Sequence, residues 1–246
     1  LRRAGRHGSA PPVPLAGGKR VSFLKVAALV LRKDVAIEAK TGEILYTTIF
    51  FAVSCVLIFA IAFVKEGQPV EGTGAGILWI AVLFAGNLAL GRTFERERYG
   101  ETIRGLLLAP APRPAIYVGK LLGVVVLLLV TEVLVTPMVA LLFHAPLFAR
   151  PLLMALLLFL GTVGFSSVGT LFAAMLMRAR TRDVMLPILL YPITVPVIIA
   201  GVLGTSALMQ NPADEPMATL WISLLSFFDV VFLTLALWMF EPLMTE

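Results

Sequence analysis

Residues 92–113 read RTFERERYGETIRGLLLAPAPR. This is the densest charged block between two long apolar runs, and its reading decides the fold. Alternating Glu and Arg between two apolar runs require water, or a partner met from the water side. The flanking runs must therefore cross something, and the block must lie at one of its surfaces.

Composition says what is crossed. Of 246 residues, 59% are hydrophobic and 14% charged, against about 25% charged in an ordinary soluble domain. Mean hydropathy is +0.95. Such a chain takes the bilayer as its solvent. Backbone groups facing lipid must be satisfied within their own segment, which selects helices. A barrel would show short alternating strands rather than continuous apolar runs. The expected fold is an all-α integral membrane protein.

Outward from the block, the apolar runs predict six transmembrane helices at about 44–64, 74–91, 115–143, 151–177, 184–203 and 218–240. The first, at 21 residues, is long enough for a hydrocarbon core of about 30 Å. The third contains Glu132, and Thr136-Pro137 predicts a kink in it. The sixth carries Asp229 near its middle. Its start, after the polar stretch Asn211–Met217, is compatible with a short re-entrant or surface helix. Residues 1–21 are rich in Arg, Gly and Pro and predict a disordered basic tail. Residues 22–246 form one membrane domain.

Between tail and first span, residues 22–41 predict a helix with Ser22 as N-cap and Gly42 just past its end. Lys25, Arg32, Lys33 and Lys40 fall within an arc of about 100°, while Phe23, Ala27, Val30 and Ile37 lie off it. This pattern predicts an N-terminal amphipathic interfacial helix.

Orientation follows from charge. Eighteen of the 20 Lys and Arg residues fall in the N-terminal region, in 92–120 or in 178–183. Lys65 and Arg150 are the two exceptions. The positive-inside bias therefore predicts cytoplasmic N- and C-termini. In a membrane protein the net charge of +5 does not point to nucleic acid.

Enzyme chemistry finds little support. His7 and His144 are the two histidines, and HExxH is absent. GFSSVG at 164–169 has Val168 where a nucleophile elbow needs glycine. No metal-ligand cluster is present. GGKR at 17–20 is not a phosphate loop, since Val13 stands at the first glycine and Arg20 at the final Ser or Thr. Cys55 is alone in an apolar run, so no intrachain disulfide is available.

The remaining candidates suit a membrane protein that changes shape. A carboxylate deep in a span costs about 3 kcal/mol on insertion scales. Glu132 and Asp229 therefore line a polar cavity, bond between helices, or are protonated. Pro187, Pro192 and Pro196 follow Leu186, Tyr191 and Val195. Three prolines loosen the fifth span, and their freed carbonyls favour a helix facing protein or a cavity. Gly119–Gly123 and Ser166–Thr170 are small-residue packing pairs.

The opening block itself reads as a charged helix, a break at Gly100, a short apolar helix and a stop at Pro110, Pro112 and Pro114. Glu95 can pair with Arg98, and Glu101 with Arg104.

Phe94-Glu95-Arg96-Glu97, then Gly100, Ile103, Leu106-Leu107 and Pro110, with Lys120 opening the next span, resembles the first cytoplasmic loop of ABC-2-type exporter permeases. Within that class, residues 76–98 (GILWIAVLFAGNLALGRTFERER) and 185–201 (MLPILLYPITVPVIIAG) are similar to the cytochrome c maturation protein B family, the haem exporter B permeases. The similarity spans about residues 22–240 and departs at Asn211–Pro216 and Asp229.

The resemblance implies a permease that binds no cofactor itself. ATP would be used by a separate A-type ATPase subunit, beside a haem-handling C-type membrane subunit and a small D-type one, with two permease copies in the inner membrane. Haem is the implied cargo, either moved directly or delivered by releasing a haem-loaded chaperone. Phe94, Glu95, Arg96, Glu97, Arg98, Gly100 and Glu101 become the expected cytoplasmic coupling helix, with Phe94 as its aromatic anchor. Glu132, Pro187, Tyr191, Pro192, Pro196 and Asp229 become the expected translocation or conformational set. The alternatives are an ABC-2 permease for a drug, lipid or polysaccharide, and a non-transporting scaffold.

Overall fold

The computed structural model describes residues 22–65, 68–70, 72–99, 112–176 and 181–243. The basic tail, Gly100, Glu101 and the rest of 100–111 lie outside them.

Among the described residues, seven helices carry the fold: α1 Phe23–Thr41, α2 Glu43–Ala62, α3 Thr73–Tyr99, α4 Arg113–Leu142, α5 Pro151–Met175, α6 Arg182–Met209 and α7 Glu215–Leu243. All but α1 contain a stretch long and apolar enough to cross a membrane. The chain is an all-α integral membrane protein. Between α2 and α3 lies a small antiparallel hairpin, β1 Val64–Lys65 and β2 Gln68–Pro69, with Val64 opposite Pro69.

α5 is the hub, packed against α3, α4, α6 and α7, whereas α1 lies on α4 and α2 on α3 and α4. Glycines explain the hub's position. A Cβ at Gly161 would overlap the ring of Trp79, and one at Gly169 the side chain of Leu90. In lipid there is no hydrophobic gain between helices, so close approach and fit hold them together.

The two ends of the bundle differ. Near one end, the start of α3 meets the α4–α5 turn and the end of α6, where Gly74 faces Ala145, Phe143 and Met209. His144 in that turn is exposed and has φ 49°, a left-handed conformation that His tolerates better than most residues. Near the other end lie α1, the charged end of α3 and the start of α4. There the rings of Tyr117 and Phe240 stand 5.3 Å apart.

Several boundaries differ from the sequence reading. Ser22 holds the N-cap position of α1 without a side-chain cap bond, while Gly42 ends it in the left-handed conformation at φ 63°. α6 runs unbroken through Pro187, Pro192 and Pro196, and α4 continues through Pro137. α7 starts at Glu215 as one helix, so the re-entrant alternative is not adopted. The charged stretch 92–99 is not a separate helix but the last two turns of α3. Ala89 and Leu90 are buried in the bundle core, and the helix runs unbroken to Tyr99.

Candidate functional site

At 27 residues, α3 is about 40 Å long, and a hydrocarbon core is about 30 Å thick. Its charged C-terminal turns must therefore stand at or beyond the membrane boundary. Phe94 does not present itself there. It is 2% exposed and belongs to the main apolar core. The expectation of Phe94 as an exposed anchor is corrected: its ring holds the end of α3 against the bundle. Arg92 and Glu95 remain accessible and pair across 3.6 Å. Arg96, Glu97 and Arg98 continue the helix beyond them.

Beside this pair is a notch of about 340 Å³ lined by Asn87, Leu88, Gly91, Arg92, Glu95, Leu186 and Pro187. Two separate sequence expectations meet here: the charged end of α3 and the first proline of α6. Pro187 has no amide hydrogen, so the helix ladder is weakened where α6 borders the charged end. The carbonyl Oδ1 of Asn87 is buried without a hydrogen-bond partner among the described residues.

The other prolines lie elsewhere. Pro192 and Pro196 are on the exposed side of α6, and Tyr191 is half-buried. The expected cover of protein or cavity over them is absent from the single chain. Between them the Thr194 hydroxyl donates to the Leu190 carbonyl at 3.0 Å, an extra local bond of the kind that makes prolines tolerable in spans.

The two intramembrane carboxylates flank α5 from opposite sides. Glu132 on α4 is 2% exposed, and one of its oxygens accepts from the Thr162 hydroxyl of α5. Its other oxygen has no partner among the described residues. Asp229 on α7 is 5% exposed, neither of its oxygens has a partner among the described residues, and Oδ1 would lie 2.7 Å from a Cβ at Gly164. For Glu132 the interhelical-bond alternative is the one realised. Neither the notch at Asn87 nor the α1–α4 cavity described below reaches either carboxylate.

Three features escaped the sequence reading. Trp79 is buried in a notch formed by Gly161 and Gly201, and its indole N–H donates to Thr205 Oγ1 at 3.0 Å. The Tyr117 hydroxyl donates to the Ser167 carbonyl at 2.9 Å. Lys120, 4% exposed, holds Asp34 of α1 at 2.7 Å, and Asp34 also meets Lys33 at 3.2 Å. A lysine about two turns into a span, opposite the inward face of an amphipathic helix, was the available sign of the last. Beside this pair α1, α2, α3 and α4 enclose a second cavity of about 200 Å³.

Among the described residues no group of three His, Cys, Asp or Glu could hold a metal ion. The chemistry on display is mechanical: a charged helix end tied to a tightly packed bundle.

Comparison with known proteins adds the family. A family model described as CcmB protein matches residues 25–242. A protein named Heme exporter protein B from Pseudomonas aeruginosa is 26% identical over 200 residues, covering 80% of this chain and 87% of the relative. The protein of that name from Rhodobacter capsulatus is 31% identical over 166 residues, covering 68% and 75%. The one from Haemophilus influenzae is 23% identical over 170 residues, covering 69% and 76%.

Proposed function

The chain belongs to the CcmB protein family, and from that premise we propose that it is the membrane permease subunit of an ABC transporter complex serving haem export in c-type cytochrome maturation. It is a multi-pass bacterial membrane protein and, as a permease subunit, leaves ATP hydrolysis to a partner. The partners in this reading are an A-type ATPase subunit, a C-type haem-handling membrane subunit, a D-type small subunit and a second permease copy. In this reading both termini and the charged end of α3 are cytoplasmic, which the charge bias supports.

The observation that carries the reading is the continuity of α3. One helix joins the core residue Trp79 to the charged turn at Arg92–Tyr99. A push on the charged end is therefore delivered to the centre of the bundle. Glu95, Arg96, Glu97 and Arg98 are the contact surface for the ATPase, with Gly100 and Glu101 completing it. Phe94 fixes the helix to the bundle rather than touching the partner. Pro187, bordering the same notch as Arg92 and Glu95, is the first responding element, with Tyr191, Pro192 and Pro196 following along α6. Glu132 and Asp229 complete the moving set from either side of α5.

Deleting the gene in a bacterium that makes c-type cytochromes should remove covalent haem staining from them. Persistence of the stained bands would refute the haem reading and favour an ABC-2 permease for a drug, lipid or polysaccharide. Glu95→Lys with Glu97→Lys should abolish co-purification of the ATPase while leaving membrane insertion intact. Undiminished co-purification would refute the assigned contact. A partner ATPase indifferent to the permease would favour the scaffold alternative.

A further inference from the structure

The cavity of about 200 Å³ under α1 lies outside the coupling surface and takes no part in the reading above. It is lined by Val35, Ala39, Ile44, Val126, Leu127 and Val130, with Asp34, Glu38, Thr93 and Lys120 toward one end. Its charged groups are already engaged. Asp34 meets Lys33 and Lys120, and Glu38 Oε1 accepts the Leu45 amide at 2.8 Å. That amide belongs to the first turn of α2, whose backbone donors need such a partner. Asp34, Glu38 and Lys120 thus each have a partner, and the rest of the lining is mostly apolar.

The mouth of the cavity is bounded by valines exposed on the outside of the bundle: Val35 at 42%, Val126 at 39% and Val130 at 42%. Val126 and Val130 are one turn apart on a spanning helix, so the mouth opens toward the apolar part of a bilayer. Small-molecule sites usually occupy about 300–1,000 Å³. This space is too small for a macrocycle and suits a single flexible chain. α1, whose Val35 and Ala39 line it, also carries exposed Lys25 and Arg32 on one side and exposed Lys40 in its last turn. The same helix thus offers an apolar recess and, a few ångströms round its circumference, a basic face that attracts anionic headgroups.

We propose that this cavity seats one acyl chain of an anionic phospholipid, whose headgroup is held by the basic face of α1. The lipid comes from the leaflet at the end of the bundle where α1 lies. It fills the gap that the Asp34–Lys120 contact leaves between α1 and α4. This assignment does not depend on the cargo or on the ATPase contact.

The test is native mass spectrometry of the full chain released from nanodiscs made of equal parts phosphatidylcholine and phosphatidylglycerol. The wild-type chain should retain one phospholipid, with phosphatidylglycerol enriched several-fold over phosphatidylcholine. Val126→Trp, which plugs the mouth from α4, should lose the retained lipid. Val35→Phe, which narrows it from α1, should reduce retention and serves if the tryptophan variant does not fold. Arg32→Glu with Lys40→Glu should still retain a lipid but lose the preference for phosphatidylglycerol. The proposal is overturned if the wild type retains no stoichiometric phospholipid, or retains a mass that is not one. It is equally overturned if folded plugged variants retain as much as wild type, or if the charge-reversed variant keeps the preference.

Discussion

Two joints in this bundle are both built on glycine and are finished differently. At one, α3 drives Trp79 between Gly161 of α5 and Gly201 of α6, and Thr205 takes its indole hydrogen. At the other, α1 rests on α4 where Gly119 meets Val30 and Ala27, and the Lys120–Asp34 pair ties the helices together. The first joint is filled. The second leaves a cavity beside its ion pair. In lipid, packing and hydrogen bonds carry helix association, so the filled joint is the rigid one. The second is a polar tie with room beside it. α3, which carries the charged end, belongs to the rigid joint, and that is what allows it to transmit force.

Overfilling the rigid joint should have the largest effect. Gly201→Val puts a branched side chain into the indole and should cost about 3 kcal/mol, the upper part of the usual overpacking range. Thermal unfolding in detergent measures it, and a variant within about 0.5 kcal/mol of wild type would mean that the joint is not closed.

Cutting the polar tie comes next. Breaking a fully buried pair costs about 3–5 kcal/mol, but Asp34 is partly exposed and keeps Lys33. Lys120→Met should therefore cost about 2 kcal/mol, and adding Asp34→Leu should recover most of it. A double-mutant cycle with no coupling would reduce the pair to coincidence.

Thr205→Val strands the indole N–H and should cost about 1 kcal/mol, read by the same unfolding assay. No loss would imply that the indole finds another acceptor.

The smallest effect concerns the carboxylates. Glu132 has Thr162, whereas Asp229 has no partner among the described residues. Asp229→Val should be neutral or stabilising by up to about 1 kcal/mol, whereas Glu132→Val should destabilise. A clear loss of stability in Asp229→Val would reveal a partner that Asp229 acquires in the assembled complex.

The charged end of α3 was legible because Glu and Arg in FERER cannot enter lipid, so the helix must have left the membrane there. That Phe94 would turn inward was not legible. An aromatic residue beside four charges looks the same in sequence whether it anchors a partner or its own helix. The three prolines of α6 were visible, but their fates were not. Pro187 borders the notch, whereas Pro192 and Pro196 face outward, because the tilt and rotation of a span are set by its neighbours.

The amino-acid sequence by itself determined six spans, the amphipathic α1 ended by Gly42, and the side on which positive charge accumulates. Each follows from the cost of placing charge or unpaired backbone in hydrocarbon, which acts on every residue wherever its neighbours lie. Only the tertiary structure decided that Gly161 and Gly201 receive Trp79, that Lys120 finds Asp34, and that Glu132 has a partner while Asp229 has none. Those outcomes depend on which helices meet and at what rotation, and lipid supplies no gradient that would write that choice into the apolar pattern.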